Sequence, residues 1–469
     1  MKKYLFQLLI LLVFAAAIFT TLKQGEKLQS GRSPAGATTI VPAGLAPSPS
    51  LWNDLCRNLQ DPLPRLFMQL ILIIGVARLF GVLAGRIGQP AVVGEMIAGI
   101  VLGPSLFGVL SPDSFHFIFP ESSFGSLRLF SQIGVCLFMF VVGMELDLEQ
   151  LKERAHTALL VSQASILFPF LLGIISALFL FSGYAGTGTS FLAFALFIGV
   201  SMSITAFPVL ARILEERRMT KTALGTTSLV CAAMNDVTAW CILALVVAVA
   251  KAKSPGSAGL TMGLVVVFAA VMLLVIKPAV SRVLDRKPGA GTLAAVAIFI
   301  FVSSLATEVL GIHALFGAFL AGLVMPARRE FREFLRQRLE HFSSAFLLPL
   351  FFAFIGLRTQ VGLLGDANGW LICGGIILLA TLGKLGGAMF TARLTGMTWV
   401  DSFALGALMN TRGLVELIAL NIGYDLGILS PRIFAMLVLM ALVTTGMAGP
   451  FLTLSDQWRA RKQLASVTA

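Results

Sequence analysis

An asparagine–aspartate pair, Asn235-Asp236, lies near the middle of the apolar run SLVCAAMNDVTAWCILALVV, which is long enough to cross a membrane. A charge at the centre of a bilayer costs about 2.5–3.5 kcal/mol on insertion scales, so acids there usually serve a function. Because burial also disfavours the ionised form, the Asp236 carboxyl group can hold a proton or a cation, but not both. That competition is the minimal chemistry of cation/proton exchange. The alternative is an aspartate neutralised by a lysine that only locks two helices together.

A buried lysine, Lys384, lies deep in the apolar run IILLATLGKLGGAMFTARL, flanked by glycines that let another helix approach closely. An unpaired ammonium group in such surroundings would lose its proton, so we expect Lys384 to pair with Asp236. The alternative is that the side chain extends to the membrane surface, but the nearer end of the run is distant.

Two polar interruptions break otherwise apolar segments, at residues 203–208 (SITAFP) and 410–413 (NTRG). Pro208 lacks a backbone donor and crowds the preceding turn, and Thr205 lies just before it. Asn410 and Gly413 mark the second break. Discontinuous helices in corresponding halves of a chain indicate the mid-membrane site of a transporter, where freed carbonyl groups can bind a cation.

Two further acids have weaker claims to a role in transport. Glu416 follows Arg412 by four residues, so a local ion pair is predicted. Glu95 lies near the start of a short apolar helix and is a candidate for contact with the ion path.

The elements that must position these residues are membrane helices. Of the 469 residues, 57% are hydrophobic and only 12% are charged, whereas soluble domains carry about 25% charged residues. We therefore predict an all-α polytopic membrane protein with 13 core helices, several of them shorter than the roughly 20 residues of a perpendicular crossing. The predicted segments are 66–85, 90–103, 126–145, 158–181, 190–214, 223–250, 260–281, 291–308, 311–326, 341–357, 370–393, 402–426 and 432–454.

Four regions are expected along the chain. Residues 1–21 are a signal peptide or an extra membrane helix, and residues 22–62, rich in Gly, Pro, Ser and Ala, form a flexible extracytoplasmic linker. Residues 63–454 form the membrane domain, and residues 455–469 a short cytoplasmic tail. Residues 158–250 and 370–454 each place a broken helix between two long ones, which is the pattern of inverted repeats.

The net charge of +12 is explained by the arginines and lysines of alternate loops, which the positive-inside rule places in the cytoplasm of a bacterial inner membrane. Nucleic-acid binding is therefore not needed to explain it. The five cysteines show no CxxC spacing, so neither a resident metal nor a disulfide framework is indicated. Without a nucleophile–base pair or a phosphate loop, we expect no enzyme activity and no cofactor.

Six ordered stretches carry a family resemblance: PAVVGEMIAGIVLGPSLFG, FMFVVGMELDLEQL, SMSITAFPVLARILEE, AAMNDVTAW, GIHALFGAFLAGLVMP and MNTRGLVELIALNIG. They resemble the monovalent cation–proton antiporter superfamily, in the branch of Kef-type proteins, bacterial Na⁺/H⁺ exchangers and plant cation/H⁺ exchangers. The resemblance covers roughly residues 63–454. It implies a homodimer and a mobile six-helix core in which two broken helices cross.

The resemblance also implies roles for single residues. Asp236 matches the aspartate that binds the cation and the proton, Lys384 the buried core lysine, and Thr205 a residue at the helix crossing. Asn235 stands where electrogenic members have a first aspartate, so one titratable carboxylate is missing. Because the chain ends shortly after the last helix, we expect no nucleotide-binding regulatory domain of the Kef type.

The function expected is electroneutral exchange of Na⁺ or K⁺, or both, for H⁺ by alternating access at Asp236. Three other functions stay open at this point: a Kef-like channel, a sodium-coupled symporter of organic anions, and a membrane sensor that binds without transporting. Proton flux in everted vesicles on addition of Na⁺, K⁺ or an organic ion distinguishes them.

Overall fold

A computed structural model describes residues 58–145, 155–251, 255–283, 289–311 and 313–467. The regular secondary structure in these ranges is helical, with one isolated bridge between Ala185 and Leu429. The segment predicted as a signal peptide or extra helix, 1–21, and nearly all of the linker, 22–62, lie outside the described residues.

The α-helices are numbered in chain order. They are α1 (Pro62–Arg86), α2 (Ala91–Leu102), α3 (Phe107–Leu110), α4 (Pro112–Ile118), α5 (Phe124–Glu145), α6 (Ala155–Tyr184), α7 (Phe191–Ser203), α8 (Phe207–Glu216), α9 (Ala223–Lys251), α10 (Pro255–Val271), α11 (Lys277–Val283), α12 (Ala290–Val309), α13 (Ala314–Leu323), α14 (Arg329–Phe342), α15 (Leu348–Arg358), α16 (Ala367–Leu394), α17 (Trp399–Met409), α18 (Leu414–Asp425) and α19 (Pro431–Val467).

The number of membrane crossings is close to the prediction without reaching it. Among the described residues, eleven helical stretches are long and apolar enough to cross a bilayer, and the pair α17–α18, bent by 43°, makes a twelfth. Each of the 13 predicted segments has a helical counterpart, but α13 has only 10 residues. Ten residues of helix span about 15 Å, half of the hydrocarbon core, so 13 full crossings are not confirmed.

Most of the helices, all but α10 and α11, pack into two groups. The group called here the core unit consists of α6–α9 and α16–α19, with α6 against α7, α9 and α16, and α19 against α16 and α17. The group called the scaffold unit consists of α1–α5 and α12–α15, in which α5 packs on α13 and α15, and α2 on α1 and α15. The core unit contains both predicted repeats, each with a long helix, a broken helix and a second long helix.

Glycines let the scaffold helices approach until their backbones touch. A Cβ atom on Gly356 of α15 would lie 1.9 Å from the carbonyl carbon of Gly99 in α2, and one on Gly143 of α5 would lie 2.1 Å from the Phe319 carbonyl oxygen. No side chain fits between these helices. Close packing of this kind is typical of membrane helices, whose association depends on van der Waals contact.

Candidate functional site

The two predicted breaks meet inside the core unit. The Thr205 hydroxyl donates to the Met409 carbonyl oxygen at 3.0 Å, and the Ala206 amide donates to the Thr411 carbonyl oxygen at 3.0 Å. Residues 204–206 are not helical, and α8 begins at Phe207, so that Pro208 occupies the first turn, where its missing N–H leaves no helix bond unmade. The predicted interruptions are thus confirmed as one crossing of two extended segments.

Gly413 allows the second broken helix to approach α8. A Cβ atom at this position would lie 2.8 Å from Cγ2 of Val209. A larger residue would therefore force either the Val209 side chain or the start of α18 to shift.

Asp236 lies at this crossing, in the middle of α9, and is fully buried. Neither of its carboxylate oxygens has a hydrogen-bond partner in the protein. Phe207, the first residue of α8, lies next to the carboxylate. The start of a helix carries partial positive charge, which attracts an anion but does not replace a direct partner. A buried charge in this position requires a proton or a cation.

Asn235 positions the segment that carries Asp236. Its Oδ1 accepts a hydrogen bond from the Thr205 amide at 3.2 Å, and its Nδ2 donates to the Ser165 hydroxyl at 2.8 Å. The Ser165 hydroxyl in turn donates to the Ser162 carbonyl oxygen at 2.8 Å. The neutral amide therefore ties α9 to the break and to α6. This arrangement requires both a donor and an acceptor, which an ionised aspartate cannot supply.

The predicted pairing of Lys384 with Asp236 does not take the form of a direct ion pair. The Lys384 ammonium is fully buried, which also excludes an extended route to the membrane surface, and it donates to the carbonyl oxygen of Ser203 at the end of α7. Carbonyl groups at a helix C-terminus lack intrahelical donors and carry partial negative charge, so they hold the ammonium group. Lys384 remains close enough to Asp236 to act on it through space.

Arg412 binds the same helix end. Its guanidinium group donates to the carbonyl oxygens of Ser201 at 2.6 Å and Met202 at 2.7 Å. The predicted ion pair with Glu416 is confirmed at 3.2 Å, with both side chains fully buried. Three successive carbonyl groups at the end of α7, those of residues 201, 202 and 203, are therefore held by two buried cations.

Two residues of this region were not predicted from the sequence to be functional candidates. Asn410 is fully buried at the crossing with both side-chain amide atoms unpaired, yet the sequence pattern gave it only the role of a helix breaker. Trp240, one turn beyond Asp236, packs edge-on against Phe316 of the scaffold unit, with ring centroids 5.1 Å apart. A tryptophan in an apolar run gives no local signal of such a contact. Glu95 is buried on α2 of the scaffold unit.

Comparison with known proteins agrees with this architecture. A family model described as the transmembrane domain of sodium/hydrogen exchangers matches residues 71–454. The chain belongs to the sodium/hydrogen exchanger family. Its fold is similar to that of the sodium proton antiporter MjNhaP1 from Methanocaldococcus jannaschii, with a TM-score of 0.59 at 15% identity, covering 84% of this chain and all of that one.

Two relatives of this exchanger show how far the similarity extends. The chain is 44% identical over 388 residues to the Na⁺/H⁺ antiporter NhaS4 of Synechocystis sp., covering 81% of this chain and 94% of that protein. It is 35% identical over 433 residues to K⁺/H⁺ antiporter 1 of Saccharomyces cerevisiae, covering 88% of this chain and 49% of the relative. The chain thus spans about half the length of the yeast protein.

The two carbonyl contacts of Arg412 generate a stability prediction. Arg412→Lys keeps the charge but loses the planar fork that reaches both carbonyl groups. One buried acceptor then stays unpaired, which should lower the free energy of unfolding by about 1–3 kcal/mol. Thermal unfolding of the purified exchanger in detergent measures the difference.

The matched control is Arg393→Lys, because Arg393 also donates to a backbone carbonyl, that of Met397, but at an exposed position. It should leave the melting temperature nearly unchanged. An equal fall in melting temperature in the two variants would show that the helix-end contacts of Arg412 contribute no more to stability than the exposed contact of Arg393.

Proposed function

We propose that this exchanger moves one monovalent cation, Na⁺ or K⁺, against one proton by alternating access, with Asp236 as the shared binding site. The chain is a multi-pass membrane cation/proton antiporter, since the family match covers the membrane domain and the relatives named above are antiporters. The 1:1 stoichiometry, the site, a homodimeric assembly and a bacterial inner-membrane location are the finer parts of the proposal.

The observation that carries the assignment is the unpaired carboxylate of Asp236. Every other fully buried charged side chain of the described core unit, namely Lys384, Arg412 and Glu416, has a hydrogen-bond partner within the protein. Asp236 has none for either oxygen. A proton or a dehydrated cation bound there satisfies the same oxygens, so the two ligands compete.

The charges of the core unit support electroneutral exchange. Two acids, Asp236 and Glu416, face two bases, Lys384 and Arg412, in its fully buried interior. Binding a proton or a monovalent cation at Asp236 adds the same single positive charge. Because Asn235 contributes no second carboxylate, both loaded forms of the core unit carry the same charge across the membrane.

Asp236→Asn tests the site. Asparagine is nearly isosteric and uncharged, so the protein should fold while exchange falls to the level of everted vesicles that lack the exchanger. Proton flux in everted vesicles on addition of Na⁺ or K⁺ measures the activity, and size-exclusion chromatography checks the fold.

Asp401→Asn is the control for that experiment. Asp401 pairs with Arg459 at 2.6 Å at the cytoplasmic end of the core unit and is one-third exposed, so most exchange activity should remain. Transport retained by a folded Asp236→Asn variant would remove Asp236 from the mechanism.

Stoichiometry is tested with an imposed membrane potential in proteoliposomes. A potential of 100 mV acts with about 2.3 kcal/mol on each net charge moved. One-for-one exchange moves no net charge, so the final cation and proton gradients should be the same with and without an imposed diffusion potential. That potential is set by potassium and valinomycin, or by another ion that is not a proton. A shift of the final gradients in proportion to the potential would contradict the 1:1 assignment.

A further inference from the structure

An aspartate at the tip of a broken helix joins the core unit to the scaffold unit. Asp425, the last residue of α18, forms ion pairs with Arg128 of α5 at 3.0 Å and with Arg358 of α15 at 2.6 Å. Both arginines belong to the scaffold unit, and Asp425 belongs to the core unit. The acid is therefore held between two bases on the other side of the boundary.

Arg358 contacts the end of α18 at two more points. It donates to the side-chain oxygen of Asn421, and its guanidinium carbon lies 4.4 Å from the centre of the Tyr424 ring. Asn421 also donates to Asp425 at 3.3 Å. The side chains of Arg358 and Asp425 are only 16% and 14% exposed, so water and salt screen their attraction less than at an open surface.

The boundary between the units is closed beneath these ion pairs. A cavity of about 10 Å³ is lined by Ser131 and Gln132 of the scaffold unit and by Asn421 and Ile422 of the core unit. This volume is at the lower limit for a single water molecule, so a hydrated cation does not fit in it. Nearer to Asp236, Trp240 packs against the scaffold rings of Phe316 and Phe319 and seals the same boundary.

These contacts lie on the outer side of the membrane. Asp425 and Arg358 are at the ends of their helices opposite the arginine-rich loops at 212–221 and 328–338, which the positive-inside rule assigns to the cytoplasm. Lys251, at the end of α9 nearest to Trp240, belongs to the same outer side.

We infer that Arg128, Arg358 and Asp425 form the outer gate of the exchanger, an ion-pair latch that opens each time Asp236 faces the outside. The inference rests on the proposed alternating-access function. When the core unit moves against the scaffold unit, Asp425 must leave both arginines, because these are fixed to α5 and α15. The latch therefore stabilises the outward-closed form and limits access to Asp236 from that side.

Thiol labelling tests the latch without relying on transport. Ser131→Cys places a thiol in the cavity below the ion pairs, in a chain whose five native cysteines are replaced by alanine. A membrane-impermeant maleimide is added from the outside to intact cells. Adding Asp425→Asn should raise the labelling rate at least tenfold, which corresponds to a shift of about 1.4 kcal/mol towards the open form. Arg128→Gln combined with Arg358→Gln should act in the same direction.

The matched control is Asp366→Asn. Asp366 pairs with Arg432 at 2.5 Å at the same outer face, but both residues belong to the core unit. Asparagine also retains its ability to cap α16. This variant should label at the parent rate. A second thiol, Ser162→Cys, lies fully buried within the core unit and should stay unlabelled in every variant.

Three outcomes would overturn the latch: parent-like labelling in Asp425→Asn, an equal rise in Asp366→Asn, or a parallel rise at Ser162→Cys. Failure of the proposed function is seen separately, as a parent protein without cation-driven proton flux. The missing flux would refute the exchange. Faster labelling of Asp425→Asn in the same protein would still support the latch.

Discussion

The structure depends on how a membrane protein satisfies a helix that ends inside the bilayer. Backbone groups in hydrocarbon need partners within the protein, and the break after Ser203 exposes the carbonyl groups of a helix end there. Lys384 and Arg412 supply those partners as two buried cations. The opposite side of the same break presents the start of α8 to Asp236. The same helix break thus binds two fixed positive charges at the end of α7. At the start of α8 it leaves the position where, in the proposed mechanism, Asp236 binds an exchangeable proton or cation.

In the proposed mechanism, this division explains why a single carboxylate is enough for exchange. Glu416 pairs with Arg412 through one of its oxygens, and the Asn235 amide makes hydrogen bonds through both its oxygen and its nitrogen, so both side chains have partners within the protein. Asp236 alone among the fully buried charged side chains of the described core unit keeps both oxygens available. In the proposed mechanism, the surrounding contacts hold the site together, and the movement required for access occurs at the boundary between the core and scaffold units.

Much of this was predictable from local sequence. Apolar runs placed the helical segments, and polar residues with Pro208 or Gly413 inside such runs located both breaks. Depth in the membrane singled out Asp236, and a spacing of four residues predicted the ion pair of Arg412 with Glu416. Each of these signals is contained in a window of one helix, where periodicity and hydropathy are informative.

Contacts between distant segments were not predictable in this way. Lys384 binds a carbonyl group 181 residues away, and two charges of opposite sign in apolar runs suggested a pair that the fold does not form. The same applies to Trp240 with Phe316 and to Asp425 with its two arginines, because ordinary side chains gain these roles only from the packing of the two units. The length of α13 was overestimated since an apolar segment does not show where its helix begins.

The most direct test of the central claim is proton release on cation binding. Purified protein in weakly buffered detergent solution is titrated with NaCl or KCl while pH is recorded, with choline chloride as the reference salt. Competition at Asp236 predicts release of close to one proton per chain by a transported cation and none from Asp236→Asn. The same release from that variant, or cation binding to the parent with no proton released at any pH where exchange occurs, would contradict the account.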